Sequence, residues 1–363
     1  FSDLFTSTLK PKAKHIGAVG EFLMMGNTND ATDGVVPHRL WWTAIGNLAL
    51  ADPDASTQSD YSNLPAGGHI QRVIGGREYG VVFCEKQIYR AEYVGAGIVF
   101  YIRAVDTNRG TPIPGSVVPF GRTIFYIADD GFYAFDGSQS VPIGSGKVDK
   151  YFWDDLDSTD YSRVSAAVDP NNKLVIWAYP GAGSSAQQPN KLIMIHWPTG
   201  RWAAAEVDTE IIMAAFTQGY TLEELDAFGN LDTLSYSLDS RFWMKGKFQL
   251  AAFDQTHKFG HFTGANLAAT IDTGEFQLNE NGRGVISRIR PRLDGGTGTV
   301  KVAGRRTLQD TVTFGSAASL NSDGEASILS DAMYHRIRLL IAAGGTWTHV
   351  NGLDVLAAVT SRR

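Results

Sequence analysis

The chain has one cysteine, Cys84, among 363 residues, so no internal disulfide supports the fold. Cys84 closes the apolar run Val81–Cys84 and reads as a small buried hydrophobe. No stretch of about 18 apolar residues occurs, so no helical membrane anchor is expected. Positive charge is not in excess: 32 Lys and Arg stand against 38 Asp and Glu, a net charge of −6. A protein that grips nucleic-acid phosphates over its whole surface is usually basic, so at most one face is expected to be basic. Helical periodicity is scarce, with short candidates only at Val148–Leu156 and Thr221–Asp226. The sequence opens at Phe1 without Met or a signal-peptide pattern, as expected of a processed or partly ordered piece of something longer.

What is present favours strands. Glycine is abundant at 39 residues, and aromatics make up 11% of the chain. Short runs rich in Val, Ile, Phe, Tyr and Trp are bounded by Gly, Asp, Asn and Pro. They include Gly80–Phe83, Gln87–Tyr93, Ile98–Ala104, Thr123–Ala128, Lys173–Tyr179, Lys191–Trp197 and Arg201–Glu206. The stretch IADDGFYAFDGS, Ile127–Ser138, could be a calcium loop or two tight turns around one short strand. A calcium loop needs alternating oxygen ligands and a distal Glu, which is missing here. Asp-Gly pairs accept positive φ cheaply, so Asp130-Gly131 is expected to join two strands and Asp136-Gly137 to end the second. DPNNK (Asp169–Lys173) and WPTGRW (Trp197–Trp202) read as further hairpin turns.

Units of turn, buried strand, turn and amphipathic strand begin at Gly76, Gly121 and Asn172, with similar units from His15 and Ile211. Repeats of about 40–50 residues with up to four strands each point to β-propeller blades. After about Gly282 the texture changes to polar–apolar alternation, as in antiparallel strands. The expected architecture is therefore mainly β: an N-terminal arm (1–14), a β-propeller (15–280) and a small C-terminal antiparallel β-sheet or sandwich domain (281–363). The loops Ala51–Gly68 and Asp106–Pro119 are the expected interface elements.

The chemical motifs are incomplete. VPIGSGKVDK (Val141–Lys150) has Val141 and Val148 where a phosphate loop needs Gly and Ser or Thr. His257 and His261 have zinc-like spacing, but aromatic neighbours argue for a strand or loop, and no Glu follows His257. DDLDSTD (Asp154–Asp160) lacks the glycine and distal Glu of an EF-hand and reads as an acidic turn, with paired carboxylates for sugar hydrolysis left open. There is no Gly-x-Ser-x-Gly elbow, and His196 and His349 read as packed or edge histidines. No catalytic, metal or cofactor residue is assigned, and no cofactor is expected. Two arginine rows stand out: Arg288, Arg290 and Arg292, and Arg336 and Arg338, each on one face of a strand with Ile289 and Ile337 turned to a core. Such rows are solvated faces or possible interface or channel-facing residues.

The segments HRLWWTAIGNLALADPDAS, GGREYGVVFCEKQIYRAEYVG, IADDGFYAFDG and YHRIRLLIAAGGTWTHVNGLDV resemble tail proteins of tailed bacteriophages, in particular the β-propeller hub or nozzle of short-tailed phages. Arg39–Gly46 stands where that family has an R-W-S-x-x-G-x-P type opening, and departs from it at the Ser and in the spacing to Pro53. The resemblance implies a virion structural protein, assembled in the host cytoplasm into a ring, commonly of six identical subunits, below the portal and adaptor. It implies distal tail proteins as further partners, genome DNA passing non-specifically through the channel, and no catalysis. A channel sharing the chain's negative sign would let DNA slide. The alternatives are a propeller glycoside hydrolase and a non-catalytic glycan-binding tail adhesin.

Overall fold

The computed structural model describes residues 4–6, 8–216, 225, 229, 248–263, 265–279 and 282–359. The candidate helix Thr221–Asp226 lies outside the described residues, apart from Leu225. The chain is mainly β and divides into two compact units, Phe1–Phe262 and Thr263–Arg363.

In the first unit, antiparallel sheets follow one another in sequence order, each with its strands side by side. Sheet 1 comprises β1 (Lys12–Val19), β2 (Phe22–Asp30), β3 (Gly34–Trp42) and β4 (Asp60–Asn63). Sheet 2 comprises β5 (Ile70–Ile74), β6 (Tyr79–Cys84), β7 (Ile88–Gly95) and β8 (Val99–Asp106). Sheet 3 comprises β9 (Val118–Phe120), β10 (Thr123–Ala128), β11 (Gly131–Phe135) and β12 (Ser140–Pro142). Sheet 4 comprises β13 (Ser165–Asp169), β14 (Leu174–Tyr179), β15 (Lys191–His196) and β16 (Arg201–Glu206). Sheet 5 comprises β17 (Ile211–Phe216), β18 (Phe248–Phe253) and β19 (Phe259–His261).

Each neighbouring pair of sheets shares a buried apolar cluster. Met24, Leu40 and Trp42 meet Ile70, Val82 and Phe100 between sheets 1 and 2. Phe83 and Ile88 meet Tyr126 and Phe135 between sheets 2 and 3. Phe125 and Phe132 meet Val175 and Trp177 between sheets 3 and 4. Ile176 and Leu192 meet Ile212 and Leu250 between sheets 4 and 5. The period of two in strand side chains explains this: Phe132 and Phe135 of one short strand are both fully buried, yet belong to clusters on opposite faces of sheet 3. Sheets buried on both faces read as continuous apolar runs, which is why IFYIA and LVIWAY do not alternate.

The turns follow the expected chemistry. Tyr126 pairs with Tyr133 and Ile127 with Phe132 across the β10–β11 hairpin. At the second Asp-Gly pair, the Asp136 carboxylate accepts hydrogen bonds from the Ser138 and Gln139 N–H groups, while Gly137 takes φ +99°. Between sheets 1 and 2 the backbones close to a distance that only glycine permits: a Cβ on Gly75 would lie 2.0 Å from the Ala18 carbonyl oxygen. The helix expected at Val148–Leu156 is α1, Asp149–Asp155, and Phe152 from it plugs the cluster between sheets 3 and 4.

Several expectations change. The arm ends sooner than residue 14, because β1 begins at Lys12, and Lys12 and Ala13 already pair with Asn29 and Thr28 of β2. Phe5 and Leu9 of the arm cover Met25 and Trp41 on the outer face of sheet 1, and the Asp52 carboxylate accepts from the Thr8 and Leu9 N–H groups. The boundary expected at 280/281 falls at 262/263, because β20 (Ala269–Asp272) pairs with a strand of the second unit. Of the two expected interface loops, Asp106–Pro119 is mostly covered, whereas Ala51–Gly68 stays largely exposed and is buried only at Ala51, Ser59, Leu64 and Gly67. Ala51 and Thr111 are fully buried, and the Thr111 hydroxyl donates to the Ile127 carbonyl at 2.7 Å.

The second unit continues with β21 (Gly284–Asp294), β22 (Gly298–Arg305), β23 (Ala318–Ser319), β24 (Ala326–Ala332), β25 (Tyr334–Ile341) and β26 (His349–Val359). These form one sheet in the order β20-β25-β22-β23 and another in the order β24-β21-β26. One aliphatic cluster joins them, with Ile286, Ile289, Val300, Ile337 and Leu339 at its centre.

Candidate functional site

The first strands of sheets 2 to 5 turn toward one cleft of about 610 Å³. Its walls come from β5, β9, β13 and β17 and from the 3-10 turn Tyr161–Arg163. Much of the wall is backbone and small or aliphatic side chains, such as Ala166, Val168 and Ile212. The charged lining is Arg72, Arg163 and Glu210.

These three groups differ in how they are held. Arg72 is exposed and has no hydrogen-bond or ion-pair partner among the described residues. Its charge nevertheless reaches His15 on β1: burial first, then Arg72 and Lys14, lower that imidazole to about 4, so it is neutral at pH 7. Arg163 stands 3.7 Å from the Asp160 carboxylate, whose Oδ1 is already engaged by the Ser162 N–H. Glu210 accepts from the His257 imidazole at 2.6 Å. The Ser165 hydroxyl accepts from the Ile212 N–H and so ties β13 to β17 across the wall. The cleft thus carries two cations and one carboxylate and does not share the chain's negative sign.

The acidic run Asp154–Asp160 is not free to act as a catalytic pair. Burial raises Asp155, but hydrogen bonds from Lys191 at 2.7 Å, Tyr179 at 3.0 Å and the Ala182 N–H outweigh it and hold the carboxyl below its ordinary value. Asp157 and Asp160 accept from their own turns. No group of three or more His, Cys, Asp or Glu among the described residues could hold a metal. His257 lies in a turn and His261 on β19, as the aromatic neighbours suggested. Lys147 of the glycine-rich stretch donates to the Gly200 carbonyl at 3.1 Å. Cys84 is fully buried, and burial followed by the Glu85 charge pushes its thiol up to about 12.

The arginine rows lie in the second unit. Arg288, Arg290 and Arg292 are exposed on β21, with Ile289 fully buried behind them. Arg288 faces Glu325 at 3.4 Å, Arg290 donates to the Asp323 carbonyl at 2.8 Å, and Arg292 makes a two-point contact with Asp354 at 2.9 and 2.6 Å. Arg336 and Arg338 on β25 converge on Asp272 of β20 at 3.1 and 2.7 Å. Sequence reasoning found the rows but not their partners, which come from 33 to 66 residues away. It also missed Arg72 and Glu210, single charged residues with no local signature.

No protein-family model matches the chain, and no curated protein matches it. Among solved structures, an exo-beta-1,3-galactanase from Phanerochaete chrysosporium matches at 10% identity, over 94% of this chain and 95% of that one, with a TM-score of 0.27. A glycoside hydrolase family 43 arabinoxylan arabinofuranohydrolase from Bacillus subtilis matches at 11% identity, over 96% and 95%, with a TM-score of 0.23. A third, titled a glycoside hydrolase, matches at 9% identity, over 94% and 96%, with a TM-score of 0.23. Against the expectation that the chain is not an enzyme, all three matched structures are of enzymes, and that expectation is withdrawn. At such low TM-scores they transfer no residue, substrate or reaction to this chain.

Proposed function

We propose that the five sheets are blades of a β-propeller and that the chain is a structural component of a bacteriophage tail, arranged with identical subunits as a ring beneath portal and adaptor proteins. The observation that carries this reading is the unbroken series of intersheet clusters, which makes the first unit one stiff body. The convergence of four first strands on one cleft supports the propeller arrangement. The segments that carry the resemblance fold as strands of that body and of the second unit: His38–Trp42 within β3, Val81–Cys84 within β6 and Tyr334–Ile341 as β25. Negative-stain imaging together with light scattering on the purified chain tests it. The expected result is an annular oligomer; a monomer at micromolar concentration, with no association with portal or adaptor rings, overturns it.

A second reading, glycan recognition in the cleft, is favoured by one observation: Arg72 projects no bond to the described protein, and Arg163 keeps only a long contact. Hydrolysis of a glycosidic bond ordinarily uses two carboxyl groups flanking it. Among the described lining residues Glu210 is the single carboxylate. Incubating the chain with neutral and acidic oligosaccharides, and comparing Glu210→Gln, tests this. Product release or binding lost in that variant supports the reading, and neither with any oligosaccharide removes it.

A further inference from the structure

We propose that sheet 5 carries a separate small site for a single sugar ring, formed by β19 and the segment that joins sheet 4 to sheet 5. The pocket has a volume of about 230 Å³ and is lined by Asp208, Thr209, Asp254, Lys258, Phe259, His261 and Phe262, among others. Pockets for drug-sized ligands run from about 300 Å³ upward, so this one takes a smaller molecule. It is distinct from the cleft: no lining residue is shared between the two.

Three features select the chemistry of the ligand. First, Phe259 and Phe262 are 48% and 39% exposed, high for phenyl rings. Phe259 is fixed in place by ring contacts with Phe253 at 5.4 Å and His261 at 5.0 Å. Fixed aromatic rings beside a pocket offer a platform for the C–H face of a sugar. Second, the polar groups are of both kinds. Asp208 is an exposed carboxylate with no partner among the described residues, and Lys258 supplies an exposed ammonium. The Asp254 Oδ1 is occupied by the N–H groups of Thr256 and Lys258, leaving Oδ2 as an acceptor. Third, two lining residues carry buried polar atoms without a partner, Thr209 Oγ1 and His261 Nδ1, and Thr209 is only 1% exposed. Unpaired buried polar atoms are costly and uncommon. A hydroxylated ring brings donors and acceptors together with an apolar face, whereas a purely apolar ligand leaves these atoms unpaired and a simple ion leaves the phenyl rings bare.

The test uses the full chain and saturation-transfer-difference NMR, with free glucose, N-acetylglucosamine and glucuronate as separate probes. At least one is expected to receive saturation at millimolar concentration, with Phe259→Ala and Asp208→Asn each weakening binding at least tenfold. Both positions are exposed, and circular dichroism checks that the variants stay folded. Arg72→Ala, which alters the cleft instead, is expected to leave the signal unchanged, so failure here and failure of the cleft reading are told apart. No saturation of any of the three sugars, or a signal that survives both pocket variants, overturns the proposal. A signal lost only in Arg72→Ala assigns the sugar to the cleft and overturns it as well.

Discussion

The two units hold their sheets together by different means. In the first, aromatic rings fill three of the four layers between successive sheets: Phe132 packs against Phe152, Trp177 and Trp202 with ring centroids 5.0, 4.9 and 4.9 Å apart. In the second, one aliphatic cluster suffices inside, and arginine–carboxylate pairs cross the strands outside. Five sheets in series need four interior layers, so inner strands such as β6, β10 and β14 are buried on both faces. Two sheets need one layer, so each strand keeps a polar face, and that face is where charge collects. The difference teaches where sensitivity to mutation lies, and four measurements would break or sharpen it.

The largest effect is expected for Trp177→Ala. Trp177 is fully buried and donates through Nε1 to the Ser116 carbonyl at 2.9 Å. Its removal leaves a cavity and an unpaired acceptor and is expected to cost about 3–5 kcal/mol, read from urea unfolding. Ile337→Ala in the second unit deletes fewer atoms from an aliphatic core and is expected to cost about 2–5 kcal/mol in its own transition. If both substitutions lower one shared transition equally, the two units are not separate in stability and the comparison fails.

Asp272→Asn should have a smaller and pH-dependent effect. Hydrogen bonds and charge from Arg338, joined by Arg336 and opposed by partial burial, hold the Asp272 carboxyl below its ordinary value. A carboxyl whose folded pKa is depressed contributes stability above its unfolded value of about 3.9 and loses it as pH falls through the lower folded value. Melting curves from pH 6 down to pH 2 should therefore show an acid loss in the native chain that is reduced in Asp272→Asn; parallel curves would remove Asp272 as a source of stability. Arg292→Ala should have the least effect. The Arg292–Asp354 pair is well formed but fully exposed, so its contribution is small and screened by salt. A clear loss of stability that persists in high salt would show that this row does more than decorate a solvated face.

The legible parts of this chain are local. The Asp136-Gly137 turn, the Val148–Leu156 helix and the alternation around Ile289 and Ile337 each depend on a few adjacent residues, and each is found within two residues of where the pattern places it. The polarity of Asp106–Pro119 hides how much of it is covered: Thr111 and Ser116 are buried by bonding to backbone, not by being apolar. The cleft was not legible at all. Arg72 lies on β5, Arg163 in the turn before β13 and Glu210 just before β17, and nothing around any one of them marks it.

The sequence by itself determined that this is a strand-and-turn protein without disulfides, with repeated units and a change of texture toward its end. Those properties follow from side-chain period, turn chemistry and the cysteine count, which act between near neighbours. Only the tertiary structure decided which carboxylate meets each arginine, which loops fill the interior, and which charges share a cleft. Such pairings are set by how sheets stack, and stacking brings together residues that chain distance leaves unrelated.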